Sequence, residues 1–100
     1  MIEGLFIELA SSELKQHLAE RAKYHKDRSK WYAEQIATLR AGLQASNISN
    51  NPIDSLERSA KRHKERFAYF TFMAEHLIPD ETYRLSENDL NRIELVDAYD

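Results

Sequence analysis

Cysteine is absent from the sequence. Its absence excludes disulfide scaffolds, thiolate zinc sites, iron–sulfur clusters and cysteine nucleophiles. Glycine and proline number two each, too few for a turn-rich β fold, a collagen or a flexible linker. No apolar run approaches the roughly 18 residues of a membrane-spanning helix, so no membrane span is expected. No serine stands in a nucleophile elbow, and no glycine-rich loop is present to cradle a phosphate. The opening, MIEGLFIELASSEL, has neither a basic n-region nor a small-residue cleavage site, so no secretory leader is expected and the cytoplasm is the expected location.

What remains is a chain of 100 residues, 42% hydrophobic and 31% charged, with room for one helical domain over residues 1–100 and a thin core. The net charge of −3 is unevenly spread. Residues 1–20 carry four acids and one base, residues 21–66 eleven bases and five acids, and residues 67–100 eight acids and two bases. The total gives no support for a nucleic-acid partner. The plainer reading is that the acidic ends fold over the basic middle, or over a second copy. The sharper one is a basic band for phosphate or RNA, screened by an acidic tail.

Helix signals come in order. Ser11 and Ser12 offer hydroxyl caps, with Glu13 in the first turn. Nothing breaks a helix from about 11 to 43, where Gly42 and the polar stretch before Pro52 mark an end and a loop. A second helix is expected over about 54–78, stopped by Pro79. A third is expected over 87–97, with Asp89 three residues after Ser86 as a capping pattern. Thr82–Leu85 reads as extended and could pair with Ile2–Ile7 as a small ribbon. The expected fold class is all-α: a long antiparallel helical hairpin plus a short C-terminal helix. One hairpin cannot cover both its faces, so a homodimer forming a four-helix bundle, or a higher oligomer, is expected.

An internal repeat runs through both long helices. Residues 22–32, AKYHKDRSKWY, match residues 60–70, AKRHKERFAYF, at five of eleven positions. At 100° per residue, Leu14, Leu18, Ala22, His25, Ser29, Tyr32, Ile36, Leu39 and Leu43 fall on one stripe, and Leu56, Ala60, His63, Phe67, Phe70, Ala74 and Leu77 on another. His25 and His63 sit mid-stripe, with Arg21, Arg28 and Arg66 on the same side. A buried polar layer needs partners: a carboxylate from elsewhere, water, a metal or an anion. The two histidines read either as hydrogen-bonded core residues or as a metal or proton-transfer site. A hairpin turning at 48–49 pairs His25 with Phe72 and His63 with Glu34, which leaves the imidazoles roughly 14 Å apart within one chain. Phe72 and Trp31 point off the stripes and should pack on a partner or on the third helix. Base stacking is the alternative for these aromatics.

A second face carries Glu13, His17 and Glu20 on adjacent turns, and the same pairing puts His76 and Asp80 nearby. Two imidazoles and several carboxylates form the ligand set of a divalent metal such as iron, manganese or zinc. The candidate metal ligands are therefore Glu13, His17, Glu20, His25, His63 and His76. The plainer reading is a charged, solvated face.

With Trp31-Tyr32 on the first helix and polar groups facing inward on both, residues 18–78 faintly resemble the half-bundle ferritin-like proteins. That resemblance implies a carboxylate di-iron site completed across a dimer. The chain departs from the pattern at His63-Lys64-Glu65-Arg66, where Glu-x-x-His would be required. Arg58-Ser59-Ala60-Lys61-Arg62-His63 is similar in spacing to the Arg-x4-His motif of HEPN-type helical RNases, which implies paired Arg and His acting on RNA at a dimer interface. The functional expectation is a small homo-oligomeric assembly or adaptor protein with a possible protein partner. The alternatives are a half-bundle metal protein and an RNA-directed helical protein.

Overall fold

A computed structural model describes residues 6–46 and 51–95. The element order is β1 (Phe6–Ala10), α1 (Ser11–Ser46), α2 (Asn51–Glu75), β2 (Thr82–Ser86) and α3 (Glu87–Arg92). The molecule is mostly helical, and the two long helices pack against each other as an antiparallel hairpin. Its extents are 56 × 33 × 17 Å.

α1 begins where expected. The Glu13 carboxylate reaches back to accept from the Ala10 backbone N–H at 3.1 Å, satisfying a donor at the helix start. Gly42 does not end the helix, which continues to Ser46. A lone glycine lowers helix propensity by only about 1 kcal/mol, less than the surrounding helix formers supply. α2 starts at Asn51 rather than 54, with Pro52 in the first turn, where its missing N–H costs nothing. It ends at Glu75 rather than 78. The His76 imidazole donates from Nδ1 to the Phe72 carbonyl at 2.8 Å, and Pro79 disfavours helical backbone at Ile78. The two ends of the expected loop are helical and α3 stops at Arg92, short of the expected 97, while the middle of the loop at 47–50, the Ile2 end of the ribbon and the last two residues of the expected third helix lie outside the described residues.

The ribbon forms. β1 and β2 pair antiparallel with Phe6 opposite Ser86 and Ala10 opposite Thr82. β2 hands directly into α3 through a complete capping box. The Ser86 hydroxyl accepts from the Asp89 N–H, and the Asp89 carboxylate accepts from the Ser86 N–H.

The core lies at the ribbon end of the hairpin. Leu14, Leu18 and Ala22 from α1 meet Phe70 from α2 and are closed over by Leu85, Leu90 and Ile93. The expected α1 stripe is buried through Leu14, Leu18, Ala22, His25, Ser29 and Ile36, but Leu39 is exposed. β2 and α3 cover only the first half of α1, so the far half of the hairpin has a single layer of contacts. Of Leu43 only the backbone is described. Trp31 and Phe72 are exposed in the isolated chain, Phe72 stacking on the His76 ring at 4.0 Å.

Candidate functional site

The polar layer in the middle of the two stripes is satisfied by one residue after α3. The helix ends in a two-bond C-terminal motif: Glu94 N–H donates to Asn91 carbonyl at 3.2 Å, and Leu95 N–H to Leu90 carbonyl at 2.9 Å. This motif needs left-handed backbone at the residue between, the position where glycine is usual. Here it is Glu94, with φ 61°. A side chain in that region costs roughly 1 kcal/mol or more over glycine. The offset is the carboxylate, which the motif aims into the cleft between α1 and α2.

Three side chains from the hairpin close on it, and a fourth joins through one of them. Arg21 Nε donates to Glu94 Oε1 at 2.7 Å, and Arg66 Nε donates to Oε2 at 3.2 Å. Arg66 also donates to the Arg92 carbonyl at 2.6 Å, tying α2 to the end of α3. His25 Nε2 lies 2.9 and 3.0 Å from the two carboxylate oxygens. An ionised carboxylate only accepts, so this nitrogen carries a hydrogen. His25 Nδ1 lies 2.7 Å from His63 Nδ1. Only one hydrogen fits that gap. In the neutral pair it belongs to His63, because His25 already carries its own at Nε2. These tautomers are assigned from the hydrogen-bond partners. His63 Nε2 is then left with a bare lone pair. It has no hydrogen-bond partner among the described residues, and it is not buried.

The rings are held in place. His25 is buried and lies flat on Phe70, centroids 5.6 Å apart at 9°. His63 lies on Tyr32, 5.5 Å apart at 20°, and the edge of Tyr24 meets both imidazoles. Burial first, then the charges of His25, Arg28 and Arg62, pushes His63 below the ordinary histidine value of 6.5, and the opposing pull of Glu94 does not reverse this. Burial pushes Glu94 up, but the hydrogen bonds from His25 and Arg21 outweigh it and hold the carboxyl below 4.5. Both groups thus bind protons less readily folded than unfolded. Their contribution to stability is complete above 6.5 and is lost as pH falls, through His63 first and then Glu94.

The mirror pairing of the hairpin therefore needs correction. The stacked pairs His25–Phe70 and Tyr32–His63 lie two residues short of the expected partners, and the two imidazoles touch within one chain instead of standing far apart. Treating side chains as points on the helix axes ignored the reach of each ring from its Cα.

The remaining candidate ligands are not brought together. His17 Nε2 donates to the Ile93 carbonyl at 2.7 Å. Glu13 caps α1, and Glu20 accepts from Gln16 one turn away at 3.3 Å. His76 closes the end of α2. His25 spends one nitrogen on Glu94 and the other on His63, so neither faces a shared ion. Among the described residues no group of three or more His, Asp or Glu is arranged to hold a metal. His17 and Glu20 lie one turn apart on α1, and His17 is engaged by the chain following α3.

Glu94 itself escaped the sequence reading. The signal was negative: the polar core layer of the two stripes had no carboxylate of its own, and the third helix, expected to run to 97, ends at Arg92 and so frees Glu94. No known protein family matches this chain, and no curated protein or solved structure shows detectable similarity to it. Among the described residues no helix is long and apolar enough to cross a membrane.

Proposed function

We propose that the chain is a small helical protein that performs proton transfer on an anionic substrate, with His63 Nε2 as its base. The observation carrying this reading is the unbroken sequence Glu94 carboxylate, His25, His63, ending on a half-buried ring at a nitrogen with no hydrogen-bond partner among the described residues. A proton taken up at His63 Nε2 is matched by passage of the Nδ1 hydrogen to His25. The charge then rests on His25, directly against Glu94. Glu94 and His25 are positioning residues, and a base kept unprotonated near neutral pH is what general-base chemistry requires. An anionic substrate follows from Arg28 and Arg62, which lie close enough to shift His63 and have no acidic partner among the described residues.

Diethyl pyrocarbonate, which acylates accessible unprotonated imidazole nitrogen, tests this directly. Peptide mapping should show His63 modified well ahead of His17 and His25, with a pH midpoint below that of N-acetylhistidine. An unreactive His63, or a midpoint at or above the reference, contradicts the reading.

Homo-oligomeric assembly is a second and compatible reading, favoured by the far half of the hairpin. There a groove of about 500 Å³, lined by Ala33, Ile36, Ala37 and Ala60 and rimmed by the Arg40–Glu57 ion pair, is left uncovered by β2 and α3. A second hairpin covering that groove would give a four-helix arrangement. Light scattering should then give twice the chain mass of 11.7 kDa, and a stable monomer removes this reading.

A further inference from the structure

One stripe of α1 runs through His17, Arg21, Tyr24, Arg28 and Trp31, each one turn from the next. Its first half is engaged by the C-terminal segment, through the Ile93 carbonyl and Glu94. Its second half is not. Tyr24 is 44% exposed and Trp31 41% exposed. Between them the Arg28 guanidinium lies 4.6 Å from the Trp31 ring centroid and 5.1 Å from that of Tyr32. On α2 the His63 ring meets Tyr24 and Tyr32, and Arg62 precedes it in the chain and acts on it by its charge.

Four other arginine charges are answered by carboxylates. Arg21 and Arg66 pair with Glu94, Arg40 with Glu57 and Arg92 with Asp89. Arg28 and Arg62 have no carboxylate partner among the described residues. Two exposed aromatic rings flanking Arg28 along about two turns of α1, with Arg62 beside the base on α2, make a particular chemical pattern. The cations suit phosphates. The rings suit flat faces that stack, and Arg28 on Trp31 adds to the stacking surface. A small anion would use the cations alone, and a second apolar hairpin would leave them buried and unpaired.

We propose that this stripe binds a single strand of nucleic acid, bases against Tyr24 and Trp31 and phosphates against Arg28 and Arg62. This rests on the proposed role of His63 in one respect: it names the substrate class that the stripe would lay across His63 Nε2. A net charge of −3 concealed the pattern, because the acids lie at the two ends of the chain.

Trp31 is the only tryptophan, so its fluorescence reports on the stripe alone. The chain is titrated with oligouridylate and oligothymidylate of about ten nucleotides, a duplex of equal length and heparin, at about 50 mM and about 200 mM salt. Either single strand should quench Trp31, and which one binds more tightly identifies the sugar. Trp31→Ala should weaken binding of a labelled strand about tenfold, and Arg28→Ala should reduce the salt slope by about 0.7. The proposal is overturned by no quenching at low salt, by duplex or heparin binding as tightly as the single strands, or by binding that vanishes entirely at about 200 mM salt. It is also overturned if Trp31→Ala dissociates a dimer, for then a second copy covers the stripe. Loss of strand binding with His63 still reactive toward diethyl pyrocarbonate removes the substrate class only. Strand binding with an unreactive His63 removes the proton-transfer role only.

Discussion

Replacing Glu94 by alanine should lower stability by about 2–4 kcal/mol, measured by urea unfolding at pH 7.5. The carboxylate is the shared acceptor for Arg21, Arg66 and His25. Breaking a buried ion pair by removing one partner costs about 3–5 kcal/mol. Here the cost is smaller, because Arg21 and Arg66 are each 30% exposed and can turn to water, while His25 at 6% cannot. For a small domain with about 5–15 kcal/mol in hand, that is a large fraction. Three substitutions separate backbone from charge. Glu94→Gly loses the same carboxylate but relieves the left-handed strain, so it should be milder than Glu94→Ala by about 1 kcal/mol. Glu94→Gln keeps one acceptor and should be the mildest. In that variant His63 should titrate lower still, since the one charge pulling its affinity for protons upward is gone. Glu94→Gly at wild-type stability would mean that the network contributes little and that the residue is there by accident of backbone.

Phe70→Ala should cost about 3–5 kcal/mol, the range for a buried phenylalanine truncated in a packed core. Phe70 has no exposed surface. It packs among Leu14, Leu18 and Leu90, supports His25 from below and lies under the Arg66 guanidinium at 4.7 Å. The loss therefore combines a cavity with a released imidazole. Phe72, two residues on, is 60% exposed, and Phe72→Ala should stay within about 0.5 kcal/mol of wild type. Equal effects at the two positions would place the core on the other face of α2.

The hairpin was legible because nothing between Glu13 and Ala41 breaks a helix and Pro79 stops the second. Ser86 and Asp89 announced α3, and Tyr83 and Leu85 announced a strand. The need for a partner in the polar layer was legible too, with a carboxylate, water, a metal or an anion all able to fill it, since His25 and Arg66 sit on an otherwise apolar side. Its source was not. Glu94 meets His25 across 69 residues of sequence, and its backbone conformation is one that sequence signals assign to glycine. The candidate metal ligands are not gathered among the described residues, for a related reason. Spacing shows that Glu13, His17 and Glu20 share a face, but not what packs on it. His17 is used by the Ile93 carbonyl, and Glu13 by the start of its own helix.

The most direct test is the tautomeric state of the two central histidines, read from one- and two-bond ring couplings in ¹⁵N-histidine-labelled protein at pH 7.5. The hydrogen-bond partners assign opposite tautomers to the neutral pair, His25 with its hydrogen on Nε2 and His63 with its hydrogen on Nδ1. A His63 carrying its hydrogen on Nε2, or averaging between both forms like free histidine, would contradict the relay and with it the proposed base.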